Sequence, residues 1–348
     1  MIRSAVALNI ELTETYPVVQ RQLIFAGLGF IVVLITASID YHLWSSVSRL
    51  MYVTTIIILG VLFILGTALY GSARWFDTGT IFIQPSEFAK IVVILVLADF
   101  FTRNQDRIGD LRMVGRSFLF TLGIVALILA QPNLSTSIVI LMIWAALLWA
   151  SGLHIKHLLI FAGAIPVVLL VGIPLLIQFD VIRDYQLGRV TSFLFPDPNA
   201  RYGDAYNLNQ ALISIGSGGW FGQGYGQGSQ VQLHFLKVRH SDYIFSAMAN
   251  EFGFFGALVV ILILIFVVYR CLRAARLSRD TFGALICYGV ATLIAFQALV
   301  NIGVNLRLIP ATGLPLPFIS YGGSSLLSLL IGIGLVESVI LRYKTLDF

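Results

Sequence analysis

An all-α, polytopic membrane fold is predicted by three observations. Mean hydropathy is +0.91, and 58% of the residues are hydrophobic. Only 11% are charged, against about 25% in an ordinary soluble domain. The apolar residues gather into runs near the roughly 20-residue length that carries a helix across a bilayer. Nine spans are expected, at about 22–39, 50–69, 87–102, 117–131, 135–152, 157–179, 242–269, 281–304 and 316–341. They are read as one membrane domain over 1–348, with 180–241 a loop between spans and not a separate domain.

Orientation follows from the Lys/Arg bias of short loops. Arg103, Arg107, Arg112 and Arg116 fall between two spans, and Arg270, Arg273, Arg276 and Arg279 between two others. Lys156, Arg342 and Lys344 fall on the same side, so that side is cytoplasmic. The net charge of +5 therefore reports orientation and not nucleic-acid binding. Cys271 and Cys287 form neither a disulfide framework nor a metal-binding pattern. Nine spans with a cytoplasmic C-terminus put Met1 outside, and MIRSAVALNI is too short for a secretory signal. An earlier helix upstream is therefore expected.

The irregular stretches then share the outer face. They are 70–86, the break at Gln131–Leu134, the segment 180–241, and 305–315. A face that collects Gly, Pro, Trp and ionisable residues is where such a protein works. The chain is organised around HFLKVRHSDYIFSAMANEFGFFG, residues 234–256, which begins polar and becomes the top of a span with Asp242 at the seam. At about 100° per residue, Ser246, Ala249, Gly253 and Gly256 fall within roughly 40° of Asp242. This stripe of small residues lets another backbone approach closely. A carboxylate at a membrane boundary is costly to keep charged and reads as functional; as a bland alternative, it favours the helix dipole.

Other constellations lie in the same loops. Glu87 and Lys90, three apart near a helix start, share a face and form a pair. Alternatively Arg74 and Lys90 offer positive charge to a phosphate, while Trp75 reads as an interfacial anchor. GSGGWFGQGYGQG, residues 216–228, is either a flexible re-entrant hairpin or a set of N–H groups facing an anion. It lacks P-loop spacing. Asp204, Tyr206, Asn207, Asn209 and Gln210 suit sugar hydroxyls. His234 and His240 without further ligands do not make a metal site. In NIGVNLRLIPATGLPLPFISYGGSS, residues 301–325, Pro310, Pro315 and Pro317 break the helix, which favours the wall of a site.

These motifs together carry a resemblance. GSARW with QPSEFAK, then GSGGWFGQGYGQG, HSDYIF with EFG, and PATGLPLPFISYGGSS occur in the order found in the SEDS (shape, elongation, division and sporulation) family of the RodA and FtsW type. The resemblance covers essentially the whole chain. It implies ten helices with both ends cytoplasmic, the opening MIRSA resembling the end of the first. It implies a peptidoglycan glycosyltransferase that polymerises lipid II on the outer face of the cytoplasmic membrane. The 4-hydroxyl of an acceptor N-acetylglucosamine attacks a donor N-acetylmuramic acid, and undecaprenyl pyrophosphate leaves. The family's catalytic acid matches Asp242, expected as general base. Arg74, Glu87, Lys90, His240, Ser320, Tyr321, Gly322 and Gly323 are expected to bind substrate. No cofactor is required by the motifs, and a divalent cation, Mg or Mn, is an open alternative to Arg74 or Lys90 at the pyrophosphate. The implied partners are lipid II, membrane lipid and a class B penicillin-binding protein transpeptidase, with no nucleic acid. A lipid II flippase or an inactive scaffold of a cell-wall synthase complex are the alternatives. The chain departs from the pattern at Leu236–Lys237–Val238, where the family reads Leu-Pro-Glu, and at Asn133, where a carboxylate facing Lys90 is lost.

Overall fold

The computed structural model describes residues 12–70, 75–77, 82–107, 109–153, 184–195, 203–233, 235–236 and 240–343. Long helices dominate, because an apolar segment in lipid must satisfy its backbone polar groups internally. They are α1 (Leu12–Ser38), α2 (Tyr41–Tyr70), α3 (Pro85–Arg103), α4 (Leu111–Ala130) and α5 (Leu134–Ala150). After these come α6 (Asp184–Leu194), α7 (Gly203–Gly218), the short α8 (Ser229–Gln232), α9 (Ile244–Leu277), α10 (Thr281–Asn305) and α11 (Gly323–Leu341). A two-residue hairpin, β1 (Phe76–Asp77) and β2 (Phe82–Ile83), pairs Phe76 with Ile83 ahead of α3.

Eight of the nine expected spans coincide with helices; the span at 157–179, Arg74, Lys156, His234, Lys237, Val238 and Lys344 lie outside the described residues. Six of the described helices are long and apolar enough to cross a membrane. Their exposed faces carry large apolar side chains, such as Leu23 and Phe30 on α1 and Leu262, Ile263 and Phe266 on α9. That surface suits acyl chains and would aggregate in water. The protein is a multi-pass helical membrane protein.

Three boundaries differ from expectation. Segment 180–241 contains α6 and α7, which are polar enough to escape a search for spans, although α7 buries Ala205, Leu208, Ala211 and Ser214. The last span begins at Gly323 and not near 316, because residues 306–322 are non-helical. Helix α9 runs to Leu277, so Arg270, Arg273 and Arg276 stand on its final turns and not in a loop.

The chain divides into two compact units: Met1–Leu28, Asp184–Val267 and Ile294–Leu326 form one, and Gly29–Arg183, Val268–Leu293 and Leu327–Phe348 the other. In the first, Ile244, Phe245, Met248, Ala249, Ala298 and Leu316 form a buried apolar cluster. In the second, α3 is the buried helix, contacting α2, α4 and α5. It carries charges that would forbid lipid exposure, and each is answered. Lys90 Nζ donates to Glu87 Oε2 at 2.8 Å, and Arg103 Nε to Asp99 Oδ1 at 2.9 Å. Asn133 caps α5 by accepting from Thr136 N–H, and its amide donates to Ser86 Oγ at 3.4 Å.

Candidate active site

Helix α9 is broken where the sequence has Gly253, whose φ of 68° and ψ of −165° are not helical. Only a residue without Cβ fits, because a Cβ there would collide with Gly222 N and the carbonyl of Trp220. The break leaves four backbone groups without helical partners, and the glycine-rich loop takes all four. Phe254 and Phe255 N–H donate to Gly219 O (2.8 Å) and Trp220 O (3.2 Å). In return Gln223 and Gly224 N–H donate to Asn250 O and Glu251 O, both at 3.0 Å. The expected close approach of a second backbone is met here, and again where Gly218 abuts the carbonyl of Ala249. The N–H groups of Gly222, Gln223 and Gly224 go to protein carbonyls and are not offered to an anion. This loop splices a helix.

The splice fixes the upper end of α9, and the turn before it carries Asp242. The carbonyls of His240, Ser241 and Asp242 are all claimed from the 301–321 segment. Tyr321 N–H donates to His240 O at 2.9 Å, and Ser320 Oγ to Ser241 O at 2.7 Å. Both Asn301 Nδ2 and Asn305 Nδ2 donate to Asp242 O at 3.0 Å. Asn305 Oδ1 in turn accepts from the N–H and Oγ of Ser246, and Asn301 also donates to Leu314 O. The two asparagines, four apart and buried, share one face of α10. With its main chain held from behind, the Asp242 side chain points forward.

It points into a cavity of about 130 Å³ lined by Arg189, Asp204, Asn207, Asp242, Tyr243, Asn301, Val304 and Ala311 to Leu314. The non-helical 311–314 stretch is thus a wall, as expected. Gly313, in the left-handed region, brings its backbone so near that a Cβ would lie 3.7 Å from Asp242 Oδ2. Arg189 Nε stands 3.5 Å from Asp204 Oδ2 and one of its terminal nitrogens donates to Thr312 O at 3.2 Å. Burial pushes the Asp242 carboxyl above the usual carboxylate range, against a hydrogen bond from Ser241 and the charges of Arg189 and His240, which lower it. A carboxylate so placed, facing the cavity with its proton affinity raised by burial, can accept a proton from a group held there.

Of the residues expected to bind substrate, Ser320 and Tyr321 hold the backbone of the Asp242 turn and do not line the cavity. His240 lies against the Tyr321 ring, centroids 5.8 Å apart. Gly322 N–H faces Gln22 Oε1 at 3.4 Å, and Gly323 opens α11 where the Phe25 ring occupies the space of a Cβ. Glu87 and Lys90 belong to the other unit. Sequence reasoning missed Arg189, Asn301 and Asn305; the four-residue spacing of Gln297, Asn301 and Asn305 within a span was the available signal for the amides. Among the described residues no three His, Cys, Asp or Glu are grouped to hold a metal. Asp242 and Asp204 are the carboxylates of the cavity that a divalent ion would meet, with Arg189 beside the second.

Apolar helices, one of them broken and spliced, with a clamped acid facing a polar cavity where the helix begins, define a multi-pass membrane protein with an acid-centred site. The family model described as Cell cycle protein (FtsW/RodA/SpoVE) matches residues 1–345, and the chain belongs to that family. It is 35% identical over 344 residues to Stage V sporulation protein E of Bacillus subtilis (strain 168), covering 97% of this chain and 90% of that one. It is 34% identical over 328 residues to the peptidoglycan glycosyltransferase MrdB of Escherichia coli (strain K12), covering 94% and 87%. Among solved structures it is similar to a chain of a peptidoglycan synthase complex that coordinates polymerization and crosslinking. There the TM-score is 0.77 at 28% identity, over 94% of this chain and 90% of that one.

Proposed function

We propose that the protein is a peptidoglycan glycosyltransferase that polymerises lipid II, with Asp242 as general base. The observation that carries this is the clamped Asp242 turn. Its three carbonyls are taken from behind while the carboxylate, raised in proton affinity by burial, faces the cavity. In the reaction the acceptor's 4-hydroxyl oxygen attacks the anomeric carbon of the donor's N-acetylmuramic acid. Its proton passes to Asp242, the bond from that carbon to the phosphate oxygen breaks, and undecaprenyl pyrophosphate carries away the electron pair. One base and no covalent sugar–enzyme bond suit inversion at that carbon, by analogy with glycosidases.

The site faces outward from the cytoplasmic membrane in this reading, which the arginines of α9 and the 103–116 region support by marking the opposite side. The partner is a class B penicillin-binding protein, in keeping with the complex that the chain resembles. Arg74 remains a proposed contact to substrate, whereas Glu87 and Lys90, buried against each other at 2.8 Å, are read as a structural ion pair, the other reading their spacing allowed. The test is gel analysis of glycan made from purified lipid II. Asp242→Asn should make little polymer while melting at or above the wild-type temperature. Polymer of wild-type length from that variant would dismiss the assignment.

A further inference from the structure

We propose that Arg189 takes the diphosphate of the lipid-linked donor, leaving Asp204 for the substrate anion when the cavity fills. The inference rests on the glycosyltransferase reading of the same cavity. Arg189 and Asp242 line one space of about 130 Å³, which accommodates part of a head group and no prenyl chain. The Arg189–Asp204 contact is 3.5 Å, with each side chain 33% exposed. A water-accessible pair at that separation is weak and readily exchanged, whereas a guanidinium matches two phosphate oxygens in a bidentate fork. The hydrogen bond from Arg189 to Thr312 O ties the guanidinium to the 311–314 wall.

Two further features fit the same ligand. Asn207, one turn along α7 from Asp204, lines the cavity with a buried Oδ1 that has no hydrogen-bond partner among the described residues. That acceptor suits a hydroxyl or amide N–H of a sugar. A cation beside an unclaimed acceptor is what a sugar diphosphate requires. The charges of Arg189 and Asp204 also act on Asp242 in opposite directions, the first lowering and the second raising its proton affinity. An Arg189 engaged by diphosphate would therefore stand close to the base.

The test is binding without turnover, using the purified full chain in detergent and three probes: farnesyl diphosphate, farnesol and inorganic diphosphate. Farnesyl diphosphate should bind the wild type, and farnesol should not bind it appreciably. Arg189→Gln should weaken farnesyl diphosphate by about tenfold to a hundredfold, the worth of a charge-assisted contact, and Arg189→Lys by less. Asp204→Asn should tighten it, since the competing carboxylate is gone; general damage to the fold has the opposite sign. Unchanged binding by Arg189→Gln, or weakening by Asp204→Asn, overturns the proposal. Equal affinity for inorganic and farnesyl diphosphate also overturns it, by making this a free-anion site. If Arg189→Gln does not fold, the probe preference of the wild type and the sign of Asp204→Asn decide. Because no polymer is made, a failure here is separable from a failure of Asp242 as base.

Discussion

Glu87 and Asp242 are both carboxylates set beside apolar helices, and the protein treats them in opposite ways. Glu87 is 4% exposed and sits against Lys90, which is wholly buried, at 2.8 Å. Charge meets charge, and the pair is finished internally. Asp242 has its main chain secured by Asn301 and Asn305, while its side chain is left to a cavity and carries a raised proton affinity. Asp99 follows the first pattern, answered by Arg103, Ser45 and Ser48. On the proposed reading of Asp242 as the base, the contrast separates structural from chemical acids: neutralising the side chain builds a fold, whereas fixing the backbone and sparing the side chain leaves a group for chemistry.

The largest effect expected to separate the two acids is on rate. Asp242→Asn should lower polymerisation by about 10²–10⁴-fold, the contribution of a positioned base, measured as lipid II consumed per minute. For the paired acid the effect is on stability. Lys90→Met strands Glu87 and should cost about 3–5 kcal/mol, whereas Glu87→Gln with Lys90→Met should recover most of it. Melting in detergent reads both. If Lys90→Met is harmless, the pair is not structural and the contrast fails.

Smaller effects sharpen the second half of the comparison. Gly253→Ala places a Cβ in a left-handed position against Gly222 and Trp220, and should destabilise by about 2–3 kcal/mol. Asn305→Ala removes one of the two amide donors to the Asp242 carbonyl and strands the donors of Ser246, so the rate should fall by about tenfold or more from lost positioning. KM should change less than kcat. The smallest effect concerns the stability of Asp242→Asn. A carboxyl whose folded proton affinity is raised adds stability below its unfolded pKa and loses it as pH rises through the folded value. Asparagine carries no such penalty. Asp242→Asn should therefore melt slightly higher than wild type at neutral pH, with the gap closing as pH falls.

What could be read from sequence divides along the same line. Long apolar runs are sufficient to place spans, since lipid leaves the backbone no other choice. The Glu87–Lys90 pair is local, three residues apart on one helix, and its spacing predicts it. Asp242 was legible through its seam position and motif. Its supporters were not, because Asn301, Asn305, Ser320 and Tyr321 reach it across 59 to 79 residues of chain. The glycine-rich loop misled for a related reason. An N–H cradle and a backbone splice call for the same residues, and only the carbonyls of Asn250 and Glu251 reveal which was built. Helices α6 and α7 escaped because their apolar faces are short and interrupted by polar residues. Arg189 went with them, one of four arginines in segment 180–241 and marked by no motif.

The pH dependence of single-turnover polymerisation tests the central claim most directly. A base of raised proton affinity must be ionised to act, so the wild-type rate should fall on the acid side with a one-proton limb lying above the ordinary carboxylate range of about 4. Asp242→Asn should show no such limb in its residual rate. A wild-type rate that stays flat through that interval, or the same limb persisting after Asp242 is replaced, would contradict the account.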